Sequence, residues 1–319
     1  MKWKKVGKIF DPSQYILAND CHEFAQSPQV LLFDDFVRIY FSTRSFNPAS
    51  GKYLSHIAFV DMCKSFKEVI RVSDNTVIPL GELGCFDEHG IFPMNVLRHK
   101  DAILGYTCGW NRRTSVSVDT AIGLVKSVDD GVTFERLGSG PVLAASLKEP
   151  CLVGDGFVKV INNTFHMWYI FGTGWKRYAA DAPVDRTYKI GHAISVDGVT
   201  WIKEEARQII SDRLGPDESQ ALPTVIEIAG RFHMFFCYRE SFDFRKAKGR
   251  GYRIGHAWSS DLINWTRDDE CPLLESSEND WDSEMQCYPH VFECDSKVYL
   301  LYNGNEFGRH GFGLAVLET

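Results

Sequence analysis

Four glutamates, Glu23, Glu88, Glu218 and Glu284, each stand five residues ahead of a proline: Pro28, Pro93, Pro223 and Pro289. Asp87, Asp155, Asp217 and Asp282 fall in the same or matching stretches, with His22 and His89 beside the first two glutamates. If a fold gathers these acids, their mutual repulsion keeps some protonated at neutral pH while others stay ionised. One protonated and one ionised carboxyl across a bond is the arrangement that cleaves a glycosidic linkage. Asp87, Glu284 and Glu218 are the candidate catalytic carboxyls, with the roles of acid and base open to each.

A second set of residues ends aromatic-rich segments: Arg44, Trp110 with Asn111, Trp175, Tyr238 with Arg239, and Asn303. Arginine and asparagine can hold hydroxyls or an acidic substituent, and an indole ring can stack on a sugar face. With His22, Glu23, Glu88, His89, Asp155 and Asp282, these are the candidate substrate-binding residues.

The elements that position them repeat along the chain. A Pro-x-Val-like segment recurs at Pro28, Pro93, Phe157, Pro223 and Pro289, in steps of 65, 64, 66 and 66 residues. After it come an aromatic-rich apolar strand (36–44, 102–110, 165–172, 232–239, 298–305) and a third short strand (55–61, 121–127, 189–195, 253–259, 311–317). Asp- and Gly-containing turns follow, and then a strand that opens on Phe134, Trp201 or Trp265. Four strands per unit at a fixed pitch predict an all-β, five-bladed β-propeller. The fifth unit stops after its third strand, and Lys2-Trp3-Lys4-Lys5 matches Thr200-Trp201-Ile202-Lys203, so the N-terminal strand is expected to complete the last blade. The expected organisation is a single domain, 1–319, with blades at about 22–80, 87–145, 149–212, 217–275, and 283–319 plus 1–10. In such a meander the starts of the inner strands and the ends of the second strands share one rim, which places both residue sets at one central mouth.

A net charge of −7 argues against a nucleic-acid or anionic-membrane partner. No apolar run approaches membrane-spanning length, and the basic N-terminus lacks the apolar core of a secretory signal. Nine cysteines, none in a CxxC pair, read as reduced thiols and point to the cytoplasm. No cofactor is expected; an axial calcium ion, which some related propellers carry, has no ligand spacing here that demands it. The expected partner is a small carbohydrate or an activated sugar, and the oligomeric state is left open.

The segments GELGCFDEHGIFP (81–93), IGLVKSVDDGVTFERLGSGPVL (122–143), YRIGHAWSSDLINW (252–265), WDSEMQCYPHVF (281–292) and YNGNEFGRHGFGLAVLE (302–318) carry a resemblance. The chain resembles the five-bladed propeller glycosidases of glycoside hydrolase families 43, 32, 68 and 130, and most of all a glycosylase-like group associated with surface-polysaccharide gene clusters. The resemblance implies a glycoside hydrolase-like enzyme with acid–base carboxylates in the propeller's central pocket. One position departs from it. Families 43 and 32 place an aspartate directly before the first blade's proline, where this chain has Ser27. Either another blade supplies the base, or the activity is not hydrolysis. The alternatives are a glycoside phosphorylase or glycosyl transferase, with Arg112, Arg113, Lys176, Arg177, Arg239 and residues 246–250 binding anions, or a non-catalytic glycan-binding propeller.

Overall fold

The computed structural model describes all residues except Asp181, Lys246, Lys248, Cys271, Asn279 and Thr319. After β1 (Trp3–Phe10), the strands β2 (Glu23–Leu32), β3 (Phe36–Asn47), β4 (Lys52–Cys63) and β5 (Val69–Val72) form one antiparallel meander. β6 (Gly90–His99), β7 (Ala102–Arg112), β8 (Val118–Ser127) and β9 (Glu135–Arg136) form the second, whose one strand pairing with the first is the parallel one of Ser55 with Gly90. The third comprises β10 (Cys151–Ile161), β11 (Thr164–Arg177), β12 (Val184–Ser195) and β13 (Ile202–Lys203). The fourth comprises β14 (Glu218–Ile228), β15 (Arg231–Glu240), β16 (Arg253–Ser259) and β17 (Thr266–Arg267). β18 (Cys287–Cys294), β19 (Lys297–Asn303) and β20 (Phe312–Leu317) make the fifth, and β1 is its outer strand, with Trp3 paired to Leu317. The inner strands touch in a closed cycle, β2 to β6 to β10 to β14 to β18 and back to β2. The chain is an all-β, five-bladed propeller whose N-terminal strand completes the last blade.

Each blade is covered on both faces by its neighbours, so its second strand is a continuous apolar run rather than an alternating one. β3 is buried without interruption from Val37 to Thr43. Neighbouring blades are joined by one repeated aromatic contact. A ring on the second strand of one blade meets, edge to face, a ring at the outer strand of the next. The pairs are Tyr40–Phe134, Tyr106–Trp201, Trp168–Trp265 and Phe235–Trp3, with centroids 5.7, 5.7, 6.3 and 5.4 Å apart. Tyr299 and Phe66, at 5.0 Å, close the ring between the last blade and the first. Trp3, Trp201 and Trp265 are thus packing residues. Such edge-on pairs add about 0.5–1.5 kcal/mol each beyond the area they bury.

A second device repeats within blades. The chain entering an inner strand carries a buried acid that pairs with a base on the same blade's outer strand. Asp87 binds Arg136 at 2.9 Å, Glu218 binds Arg267 at 2.7 Å, and Glu149 and Asp282 pair with Lys203 and Lys5. Tyr169 and Tyr302 donate their hydroxyls to Glu149 and Asp282. Each clasp ties the innermost strand of a blade to its outermost. Ser-x-Asp turns shape the hairpins between them: at Ser195-Val196-Asp197 the carboxylate accepts the Val199 and Thr200 N–H groups, which hold its pKa down to about 2.

Eight described cysteines are free thiols, five of them buried; Cys271 lies outside the described residues. No helix among the described residues is long and apolar enough to cross a membrane.

Removing one half of a clasp leaves the other half charged and buried. Arg267→Met is expected to destabilise the fold by about 3–5 kcal/mol through the stranded Glu218. Denaturant unfolding measures this, and an unchanged midpoint would contradict the structural role.

Candidate functional site

Every inner strand breaks its pairing at the same place. The register with the second strand slips between Gln26 and Gln29, Ile91 and Met94, Gly154 and Phe157, Ala221 and Thr224, and Cys287 and His290. The matching bulge residues are Ser27, Phe92, Asp155, Leu222 and Tyr288. Four of them sit in the left-handed region, with φ of 53°, 51°, 48° and 56° at Ser27, Asp155, Leu222 and Tyr288. Such bulges re-aim side chains at the rims of closed sheets. In the third blade Gly156, not Phe157, therefore occupies the proline position, a one-residue correction to the alignment read from sequence. It makes Asp155 the structural counterpart of Ser27.

A central cavity of about 340 Å³ opens at these bulges and is lined from all five blades. Phe92, Asp155 and Tyr288 reach it from the bulges, and Arg44, Trp110 and Arg239 from the ends of second strands. Arg186, Arg245, Tyr188 and Tyr252 complete its polar wall. Among the described lining residues Asp155 is the one carboxylate, facing four arginines. Burial pushes the Asp155 carboxyl up to about 7, against the opposing pull of the Leu222 N–H, Arg186 and Cys108.

The arginines are held by rings. The Arg239 guanidinium lies 3.4 Å from the Phe244 centroid, and its Nη2 donates to the Tyr188 hydroxyl at 2.9 Å. Tyr188 and Tyr252 share a hydroxyl–hydroxyl hydrogen bond. Arg44 lies over Phe24 at 4.4 Å, Arg186 over Trp175 at 5.4 Å and Arg245 over Phe244 at 4.2 Å.

Of the sequence candidates, the structure thus brings Arg44, Trp110, Asp155 and Arg239 to the cavity. The expected ring of carboxylates is not assembled. Asp87, Glu218 and Asp282 are spent in the blade clasps, where each already has its cation. Glu284 is exposed and opens instead on a neighbouring cavity of about 690 Å³ between the fourth and fifth blades, which shares Phe244, Arg245 and Tyr252 with the central one. Tyr238 also faces that second cavity, beneath the Arg267 guanidinium at 4.4 Å. Glu23 is paired to Arg309, Glu88 accepts the Gly84 N–H, and His22 is exposed. His89 stacks behind Trp110, and Trp175 lies under Arg186. Asn111 is half-buried outside the cavity lining. Asn303 is structural: its Oδ1 accepts the Ser27 N–H, and its Nδ2 donates to the Ala25 and Gly311 carbonyls.

Of the basic residues considered for anions, Arg113 and Lys176 are paired to Asp119 and Asp217. Arg112 and Arg177 donate to the Tyr53 and Ala182 carbonyls. Lys246 and Lys248 lie outside the described residues. Arg186, Arg245 and the tyrosines went unnoticed in the sequence because they sit in loops or at the starts of third strands, away from the strand ends expected to form the rim, although Arg186-Thr187-Tyr188 and Arg250-Gly251-Tyr252 repeat one another. Among the described residues no three His, Cys, Asp or Glu are grouped to hold a metal ion.

No family model matches the chain. Two Mycobacterium tuberculosis proteins, Rv1502 of strain H37Rv and MT1551 of strain CDC 1551, are each 34% identical to it over 322 residues, covering all of both chains. The chain belongs to the Rv1502 family. Both relatives are named only as uncharacterized proteins. The fold of this Rv1502-family member is shared with solved propellers of low identity. One described as a glycoside hydrolase has a TM-score of 0.74 at 16% identity, covering 99% of this chain and 93% of its own. A β-1,2-mannobiose phosphorylase from Listeria innocua has 0.70 at 12%, covering 100% and 97%. A thermostable family-43 glycoside hydrolase has 0.64 at 14%, covering 92% and 88%. The resemblance to propeller glycosidases read from the sequence therefore holds at the level of fold.

The indole of Trp110 crosses the backbone at Gly90, where a Cβ would come within 2.2 Å of Trp110 Nε1 and 2.8 Å of Ser55 Cβ. Gly90→Ala is expected to destabilise the fold by about 1–3 kcal/mol and to displace the ring. Unfolding curves and the near-ultraviolet circular dichroism of the indoles would register both, and unchanged values would refute the close packing.

Proposed function

We propose that this protein acts on a glycosidic bond bound in the central cavity, with Asp155 as the proton donor to the leaving oxygen. The observation that carries this reading is the one carboxyl among the described cavity residues, with a pKa of about 7. A general acid works best when its pKa lies near the working pH, because it is then protonated yet still able to release its proton. Trp110, Phe92 and Tyr288 provide flat apolar walls of the kind that sugar rings pack against. The fold shared with glycoside hydrolases and phosphorylases supports a carbohydrate or activated-sugar substrate. In the proposed step the bond between the anomeric carbon and the leaving oxygen breaks. Asp155 gives its proton to that oxygen, and an oxygen nucleophile forms the new bond to carbon.

The nucleophile follows from what the lining lacks. Hydrolysis by paired carboxyls needs a second one at about 5–9.5 Å to act as nucleophile or to deprotonate water. The described lining offers none. A nucleophile that is already an anion needs no base, so phosphorolysis fits this cavity better than attack by water or by a sugar hydroxyl, each of which must give up a proton.

Asp155→Asn is expected to lower kcat by about 10²–10⁴-fold on substrates with sugar or alkyl leaving groups. The loss should be smaller on nitrophenyl glycosides, whose leaving oxygen departs without a proton. For the wild type, kcat/KM should fall as pH rises through about 7, because the acid form is lost there. The variant should lack that limb. A panel of glycosides assayed with and without phosphate supplies the readout. Full turnover of a sugar leaving group by Asp155→Asn would sink the assignment.

A further inference from the structure

We propose that Arg44, Arg186, Arg239 and Arg245 form a binding site for an oxyanion, either free phosphate or a carboxylate or phosphate group carried by the sugar substrate. This inference rests on the reading of the central cavity as the substrate site and names the chemical class it admits.

The fold provides its own comparison. Among the described residues three long cations are buried: Arg38, Lys189 and Arg239. Arg38 is matched by Asp61 at 2.7 Å and Lys189 by Asp212 at 2.6 Å. Arg239, 1% exposed, has no carboxylate partner among the described residues; its Nη1 donates to the Glu240 carbonyl, its Nη2 to Tyr188, and its Nε has no hydrogen-bond partner among them. Arg44 repeats the pattern, with a buried and unpartnered Nε and a pKa lowered from its ordinary value by burial. Desolvation among the rings, and the like charges of Arg186 and Arg239, also lower the pKa of Arg245.

A guanidinium taken out of water without a counter-charge is costly, and folds normally resolve the cost with a carboxylate. The clasps of this fold do so in four blades. The central cavity instead holds its guanidinium groups against Phe24, Trp175, Phe244 and Tyr188. A ring fixes the position of a cation and leaves its charge uncancelled. Four positioned charges from the first, third and fourth blades therefore converge on a space whose described lining has one carboxyl, half protonated near neutral pH. Planar guanidinium donors match carboxylate and phosphate oxygens in pairs, which a neutral hydroxyl cannot exploit. An oxyanion entering the cavity would satisfy the unpartnered donors and offset the mutual repulsion of the four arginines.

The test is isothermal titration of the full chain at low ionic strength and near-neutral pH with inorganic phosphate, glucose 1-phosphate, glucuronate and glucose. At least one anion should bind saturably at one site per chain, and glucose should bind far more weakly. Arg186→Gln and Arg245→Gln, both at the open side of the cavity, should each weaken that anion about 10-fold or more with unfolding midpoints unchanged in the absence of anion. Asp155→Asn should retain or tighten anion binding even where turnover is lost, so failure of the acid assignment and failure of the oxyanion site are read separately. Binding of phosphate alone would assign the anion to the co-substrate, and binding of only the sugar-borne anions would assign it to the substrate. The proposal is overturned if no anion outcompetes glucose, or if both arginine variants bind like the wild type.

Discussion

Five twisted sheets can share an axis only if their inner strands stop pairing regularly where they crowd one another. Here each inner strand slips register at the matching residue, β2 and β10 slipping once more nearer their starts, and four of the five bulge residues adopt a left-handed conformation that side-chain-bearing residues rarely take. The strain is held by the surrounding ring of inner strands and by the aromatic contacts that lock each blade to the next. What the strain provides is direction. A regular strand would alternate its side chains between blade faces, whereas the bulge lets Phe92, Asp155 and Tyr288 face the axis. The cavity and its only described carboxylate are consequences of how the sheets close.

Charge is partitioned by the same architecture. In four blades the acid that enters the inner strand meets a base on the outermost strand and becomes part of the frame. The described cavity lining is left with cations that the frame does not neutralise and with one acid that it does not fully ionise. Within a single chain the same residue types thus serve opposite ends. Glu218 accepts from Arg267, the Arg213 and Leu214 N–H groups and Gln220, so its charge is saturated. Asp155 has an arginine neighbour too, yet burial outweighs that attraction and keeps its proton near neutrality.

Much of the fold was legible because it is periodic: the 65-residue pitch, the aromatic second strands and the match of Lys2–Lys5 to later outer strands all report one repeated unit. The site was less legible because acids ahead of inner strands look alike whether they brace a blade or face the axis. A partial signal was present. Every clasp acid has its base two residues after an outer-strand aromatic, in Phe134-Glu135-Arg136, Trp201-Ile202-Lys203, Trp265-Thr266-Arg267 and Trp3-Lys4-Lys5. Those bases signal that one acid is braced in each of these blades; that it is Glu149 and not Asp155 in the third blade is seen only in the structure. The proline alignment hid this, since blade three has Gly156 where the others have proline and slides by one residue when Phe157 is matched instead. Arg245 carries no repeat signal, and Arg186 repeats only in Arg250 of the next blade, because both belong to the parts of the blades that differ.

The two unusual features of the cavity are thermodynamically coupled. Arg186 pulls the Asp155 carboxyl toward ionisation, and an oxyanion seated among the arginines would cancel part of that pull and add repulsion of its own. Binding of the proposed anion would therefore raise the affinity of Asp155 for its proton, and by linkage a protonated Asp155 would raise the affinity for the anion by the same factor. A proton donor surrounded by arginines would ordinarily be a poor one, since it would lose its proton before reaching the substrate. In this cavity the arrival of a negative charge would itself keep the proton in place, so that the acid is loaded when there is a bond for it to act on.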